Sequence, residues 1–600
     1  MQPQPRTTLL VLASSIAIVI AIAACESQGA QNPNALRPER TPPSARDMGF
    51  DCDALARFDG RGRYGHPTPV MASPANAMME SRVDAVAVAP PPPPAAPQKT
   101  LTRKAMPSVM PAPMPRPYFP NRNTENYQHF DQNPVKRTGE TPLSTFSIDV
   151  DTGSYSNVRR MLNDRQRPPA DAVRAEEFIN YFDYGYAAPT RRDTPFAVRT
   201  DLATSPWNSQ RQLLMVGIKG YEVPKSQLPP ANLVFLVDTS GSMMDADKLP
   251  LVKQGLCRML PQLRAEDRIS IVAYAGSAGL VLPPTRGSDR RAIYDALVRL
   301  EAGGSTNGGE GIQLAYAEAR RGFIKGGVNR VLLATDGDFN VGVFDRHALE
   351  TLVSDQRRSG VALSTLGFGT GNYNDEMAER LADAGDGNYS YIDSVREAER
   401  VLVRNMQSTL MTIAQDVKIQ VEFNPAEVAE YRLIGYENRA LRDEDFDNDA
   451  VDAGEIGAGH EVTALYEIAL VGSGGERLPK LRYASTPPAQ AGSGEIANLK
   501  LRYQQPGGSP SRLIERPIRR EQLRGDAGPD LRFAAAVAAF ADLLRGGRNI
   551  EGWDAARIRQ LATSGTGKDR DGERREFIDL VDRADRLMRG GTDPDRGSID

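Results

Sequence analysis

Cysteine and histidine are scarce in this chain. Three cysteines, at positions 25, 52 and 257, occur among 600 residues. That count excludes a disulfide framework and a thiolate zinc site, both of which need clustered thiols. His66, His129, His347 and His460 lie far apart and show no metal-ligand spacing. A surplus of positive charge is also missing: 73 Lys and Arg face 77 Asp and Glu, a formal net charge of −4. Without a basic surplus there is no electrostatic footprint for nucleic acid. GTGKD at 565–569 lacks the leading glycine and the Ser or Thr of a phosphate loop, so no nucleotide is implied.

What is present begins at the amino terminus. Arg6 is followed by the apolar run TTLLVLASSIAIVIAIAA, which makes residues 1–24 a secretory signal peptide rather than a structural helix. The run ends in Ile22-Ala23-Ala24-Cys25, which resembles the bacterial lipobox. Lipid on Cys25 and a membrane anchor outside the cytoplasm are therefore expected. From 25 to 135 there is no sustained periodicity, and APPPPPAAP (89–97) and MPSVMPAPMPRPYFP (106–120) favour extended polyproline geometry. The expectation is a Pro-rich disordered tether. Within it, Cys52 reads as an unpaired thiol or an intermolecular bridge. Cys257, beside Leu249, Val252, Leu256 and Leu260, reads as a packed thiol.

The remaining length exceeds what one hydrophobic core serves. Residues 140–227 read as an α+β extension, with helix in SYSNVRRMLNDRQ and AEEFINYFDYGY and strands in PFAVRTDL and QLLMVGIKGY. Residues 410–520 read as a β-rich carboxy-terminal domain, because VKIQVEF, VTALYEIAL and ANLKLRY alternate with period two. Amphipathic stretches at 531–545 and 575–588 make 525–590 a helical segment. Between the flanks, 228–408 changes character. Apolar strands NLVFLV, RISIVAY, RVLLAT and VALSTLGFG alternate with helix patterns KLPLVKQGLCRML, RRAIYDALVRL, GIQLAYAEARRG and RHALETLVSDQRR. That alternation means an α/β, doubly wound, mainly parallel sheet inserted between β-rich segments. Ligands of such sheets bind outside the carboxyl ends of the strands.

Two of those ends are chemically unusual. VFLVDTSGSMM (234–244) places Asp238, Ser240 and Ser242 at alternate positions, and TDGD (335–338) offers Asp336. GGSTNGGEG (303–311) adds the hydroxyl of Thr306. Oxygen donors from three loops suit a hard divalent cation, and Mg²⁺ wants octahedral oxygen while keeping some of its waters. In this order the five residues resemble the metal-ion-dependent adhesion site of a von Willebrand factor type A (vWA) domain: Asp-x-Ser-x-Ser, then Thr, then Asp. FSIDVDTGSYSNVRRML, EEFINYFDYGY, GFGTGNYND, GNYSYID and VDAGEIGAGHEVTALYEI extend the likeness to a subfamily of bacterial lipoproteins. Its members carry an amino-terminal extension and a carboxy-terminal domain around the vWA domain. The resemblance implies a Rossmann-like fold and a divalent metal, Mg²⁺ with Ca²⁺ or Mn²⁺ as alternatives. It also implies a protein ligand that offers a carboxylate to that metal.

The expected function is an envelope-anchored binding protein, facing the periplasm or the cell surface. A metal-dependent hydrolase and a scaffold for an envelope complex are the alternatives. The three site loops contain no histidine to serve as a general base, so an enzyme is not expected. Two other motifs have blander readings. Asp151-Thr152-Gly153-Ser154 spells an aspartic-protease tetrapeptide but has no second copy to share a proton, and reads as a strand end and helix cap. RDEDFDNDAVDAGE (442–455) has Ala450 and Ile456 where a calcium loop needs Gly and Glu, and reads as a solvated connector.

Overall fold

A computed structural model describes residues 44–56, 124–148, 150–305, 308–337, 346–479, 481–482, 494–507 and 510–590. The signal peptide, Cys25 and most of the expected tether lie outside these residues. Two short strands, β1 (Lys136–Arg137) and β2 (Leu143–Ser147), come first, then helices α1 (Gly153–Asn163) and α2 (Ala175–Asn180) and strands β3 (Phe196–Thr204) and β4 (Gln212–Gly220). The central unit follows as β5 (Ala231–Asp238), α3 (Leu249–Met259), β6 (Arg268–Tyr274), β7 (Ala278–Arg286), α4 (Arg290–Val298) and α5 (Gly308–Arg321). It continues through β8 (Val328–Thr335), α6 (Arg346–Arg358), β9 (Ala362–Phe368), α7 (Asp375–Ala384), β10 (Tyr389–Ile392), α8 (Val395–Glu399) and α9 (Met406–Leu410). The chain ends with β11 (Thr412–Phe423), β12 (Val428–Ile434), β13 (Ile456–Gly457), β14 (Glu461–Leu470), β15 (Glu495–Gln504), β16 (Arg512–Arg519), β17 (Leu523–Arg524), α10 (Pro529–Leu544), α11 (Ala555–Ser564) and α12 (Glu573–Met588).

The central sheet has the order β10-β9-β8-β5-β6-β7, parallel except for β7. Its strands are apolar throughout because both faces are covered. Along β5, Leu233, Phe235 and Val237 pack with α3 and α4, whereas Val234 and Leu236 pack with α5 and α6. The sequence reading missed β7. This strand carries Pro283 and Pro284, which a sheet tolerates only where no further partner needs their missing N–H groups. It is an edge strand.

The β-rich flanks form one structure. β3 and β4 from before the central unit join β12 and β14 from after it in the sheet β1-β12-β14-β4-β3-β17. A second sheet, β13-β11-β15-β16, takes β2 as a further partner of β11. The two sheets enclose Phe146, Val216, Ile218, Ile419, Val421, Phe423, Tyr431, Tyr466 and Leu499. Residues on the other face of the first sheet, such as Leu213, Met215 and Leu465, pack under α1, α2 and α10–α12. This arrangement explains why β4 reads as a continuous apolar run: it lies in the middle of three layers.

The expected disordered tether is wrong at two places. Residues 44–56 fold as a strap whose Ala45, Phe50 and Cys52 join the core beneath α3, and residues 124–135 lie along the body of the protein. Cys52 is neither free nor intermolecular, and Cys257 is not a packed thiol. They form a disulfide with Cα atoms 5.6 Å apart. Arg258 adds an ion pair to Asp53 at 2.7 Å, and Phe50 packs on Tyr294 with ring centroids 5.1 Å apart. A separation of 205 residues gave no local signal for this pairing.

Asp151 also departs from expectation, because no side chain caps α1. Asp151 instead accepts the Tyr389 N–H at 2.8 Å and pairs with Arg439 at 3.2 Å, while Glu177 takes the Ser154 N–H at 2.7 Å. Gly153 is needed at this joint, since a Cβ there would lie 2.2 Å from the Tyr389 ring.

Around this joint, arginines of the extension meet carboxylates of the central unit in full burial. Arg159 reaches Asp393 at 2.6 Å and Glu397 at 2.8 Å, and Arg174 reaches Asp375 at 2.5 Å. Burial alone would raise the Glu397 pKa, but Arg400 and Arg159 pull it down to about 2.

Two predictions follow from these contacts. Peptide mapping without reductant should recover Cys52 linked to Cys257. Cys52→Ser should lower the melting temperature, with an upper bound of about 5 kcal/mol from loop closure, and open 44–56 to protease. An unlinked Cys52 in oxidised protein would contradict the strap. Arg159→Met should destabilise the fold by about 3–5 kcal/mol at neutral pH, because it strands buried carboxylates. Glu397 has a folded pKa below its ordinary 4.5, so its contribution is complete above that pH and is lost as pH falls toward about 2. The gap between variant and wild type should narrow across that window in acid-unfolding curves.

Candidate metal centre

The site is built at the carboxyl ends of neighbouring parallel strands. β5 and β8 are paired in register, Val237 opposite Ala334, so the chain delivers Asp238 and Asp336 side by side just beyond that pair. Both carboxylates are fully buried. Asp238 Oδ1 accepts the Ser240 N–H at 2.8 Å, which turns the loop so that the Ser240 and Ser242 hydroxyls lie 3.0 Å apart. Asp238 Oδ2 is buried with no hydrogen-bond partner of full geometry among the described residues. The Asp238 pKa is pushed up to about 6, chiefly by burial and further by the charge of Asp336, against the Ser240 N–H that favours the anion.

The second loop is tied to the first by its backbone. Gly303 N–H donates to Thr239 O at 2.8 Å, and Gly241 N–H to Gly304 O at 3.0 Å. This holds Ser305 and the start of α5 beside the Asp-x-Ser-x-Ser loop. Thr306 lies outside the described residues. The third loop turns at Gly337, where φ is +86° and a Cβ would lie 2.2 Å from the Asn374 nitrogen, so only glycine fits. The structure thus brings together Asp238, Ser240, Ser242 and Asp336.

These residues fit a hard divalent cation. A buried carboxylate oxygen with no hydrogen bond of full geometry among the described residues, a second carboxylate next to it and a hydroxyl pair form an all-oxygen donor set. Asp238, Ser240, Ser242 and Asp336, with Thr306 from the second loop, would hold the ion. When bound it would supply Lewis acidity and an attachment point for an external anion. A different carboxylate group, Asp386, Asp452 and Glu455, lies elsewhere, but Arg357 already pairs with Asp386 at 2.7 Å and Asp452 at 2.5 Å.

Sequence reading missed Lys248 and Asn372. Lys248 Nζ donates to Asp336 Oδ2 at 3.0 Å and to Asn372 Oδ1 at 3.3 Å. A lysine at the start of a helix carries no mark of such a role. Only the approach of the loop after β9 reveals it.

Family models match most of the chain. The von Willebrand factor type A domain model matches residues 232–409, and the model of the carboxy-terminal region of uncharacterized protein YfbK matches 408–587. A third, described as von Willebrand factor, matches 121–215. The chain is 49% identical over 476 residues to the uncharacterized protein YfbK of Escherichia coli (strain K12), covering 78% of this chain and 82% of that protein. It is 34% identical over 191 residues to the uncharacterized protein sll0103 of Synechocystis sp., covering 32% of this chain and 44% of that one. Among solved structures, a von Willebrand factor type A protein from Catenulispora acidiphila aligns with 17% identity and a TM-score of 0.36, covering 64% of this chain and 89% of that one.

Proposed function

Because the chain belongs to the YfbK family of von Willebrand factor type A domain proteins, we propose that it is an envelope-anchored binding protein. Its vWA site captures a protein partner through a divalent metal, preferably Mg²⁺. The observation that carries this reading is the donor set at Asp238, Ser240, Ser242 and Asp336, with Asp238 Oδ2 buried and lacking a hydrogen bond of full geometry among the described residues. An ion held by a few protein oxygens on one side keeps positions open on the other. A carboxylate from a partner fills such a position, and the ion offsets the cost of desolvating it. His347 does not alter the binding reading, since it lies exposed on α6 and pairs with Glu350 at 3.7 Å.

Two features support an envelope location. The lipobox-like Ile22-Ala23-Ala24-Cys25 supplies an anchor at Cys25. The Cys52–Cys257 disulfide belongs to an oxidising compartment such as the periplasm or cell surface. Among the described residues no helix is long and apolar enough to cross a membrane.

Affinity capture from native envelopes, with and without EDTA, tests the metal bridge. Wild-type protein should retain an acidic partner only with Mg²⁺ present, and Asp238→Ala should lose both Mg²⁺ binding and capture in parallel. Ser242→Ala, which removes a neutral donor, should weaken both less. Undiminished capture in EDTA would move the function to another surface. For the anchor, Cys25→Ser should abolish incorporation of a fatty-acid analogue and release the protein from the membrane fraction. Labelling that persists in that variant would rule out Cys25 as the lipid site.

A further inference from the structure

Lys248 lies outside the Asp-x-Ser-x-Ser pattern, yet its ammonium pairs with one of the site's two carboxylates. It touches Asp336 Oδ2 at 3.0 Å and Asn372 Oδ1 at 3.3 Å, and its side chain is 4% exposed. The backbone is shaped around it. At Gly369, where φ is +74°, a Cβ would lie 2.3 Å from the lysine Cε, so any other residue would evict the side chain. The loop that carries Asn372 is gripped from outside by the amino-terminal segment. Thr124 N–H donates to Gly371 O at 2.8 Å, Asn126 N–H to Tyr373 O at 3.0 Å, and Gly371 N–H to Glu125 Oε1 at 3.0 Å.

A buried ammonium is costly unless it is paired, and a buried carboxylate likewise. Lys248 and Asp336 satisfy each other, leaving Asp238 as the remaining anion. A divalent cation drawn to both aspartates must therefore approach a resident positive charge at a range where like charges repel strongly. We propose that Lys248 is an internal competitor of the metal. It neutralises Asp336 in the metal-free state and yields that carboxylate when a cation binds. Its release from Asn372 then passes occupancy of the site to loop 369–374 and the amino-terminal segment beside it. The metal is held weakly and reversibly as a result. This inference rests on the metal reading of the site.

The test is Mg²⁺ titration of the full chain by calorimetry, in wild type, Lys248→Met and Lys248→Gln. Both neutral variants should bind Mg²⁺ roughly tenfold or more tightly than wild type. In EDTA they should melt at lower temperature than wild type, because Asp336 has lost its counter-ion, and saturating Mg²⁺ should abolish the difference. On wild type alone, saturating Mg²⁺ should speed amide exchange across 369–374 and leave β5 unchanged. If wild type binds Mg²⁺ and both variants bind equally or more weakly, the competitor role is overturned while the metal site stands. If none of the three binds Mg²⁺, the site reading falls and the competitor role with it. Binding by the variants alone would mean that Lys248 blocks the site outright, which supports the role. Should neither variant fold, unchanged exchange at 369–374 on saturation of the wild type overturns it.

Discussion

The structure depends on a set of buried arginine–carboxylate contacts between the helices that precede the central sheet and the elements at its β10 end. Arg159 joins α1 to Asp393 and Glu397, and Arg174 joins the start of α2 to Asp375. Arg400 closes the set by donating to Glu397 at 2.8 Å and to Thr152 at 2.6 Å. Removing such charges from water costs several kcal/mol per ion, and the mutual attraction repays this only when geometry and hydrogen bonding are complete. A sliding or rotated arrangement of the same helices would strand at least one charge. The contacts therefore select one docking pose more than they add net stability.

That pose has consequences in both directions. Toward the amino terminus it fixes α1, whose Arg160 holds Glu125 at 3.0 Å, and Glu125 in turn holds the backbone of Gly371. The loop that carries Asn372, which meets Lys248, thus sits one contact away from the extension. Toward the carboxy terminus, α2 lies on the sheet that contains β4 and β14, and α10–α12 complete the layer over it. Because β4 pairs with β14 along residues 212–219 and 461–468, the sandwich cannot close until the whole central unit has been made. The insertion makes the flanks interdependent through shared hydrogen bonds and a shared core.

Much of this was legible in the sequence, and the reason is periodicity. The parallel strands β5, β6, β8 and β9 are buried on both faces, so they appear as continuous apolar runs, and the alternating runs at 417–423 and 462–470 mark sandwich strands. That Asp238, Ser240, Ser242 and Asp336 stand at neighbouring strand ends was legible for a different reason. Asp238, Ser240 and Ser242 are adjacent in the chain, and Asp336 follows a readable strand. Thr306, expected from the second loop, lies outside the described residues. β7 was missed because its two prolines contradict a strand unless it lies at an edge.

What the sequence determined by itself was local: which runs become buried strands, where each strand ends, and which oxygen-bearing side chains stand at those ends. The pairing of Cys52 with Cys257, the seat of Lys248 on Asp336 and the refusal of Asp151 to cap its helix were decided only by tertiary structure. Each joins groups that are distant in the chain, or replaces a local hydrogen bond with one to a neighbouring element. No pattern of neighbouring residues encodes such a choice. It is made when buried polar groups, which must find partners, meet whichever partners the packed core brings within reach.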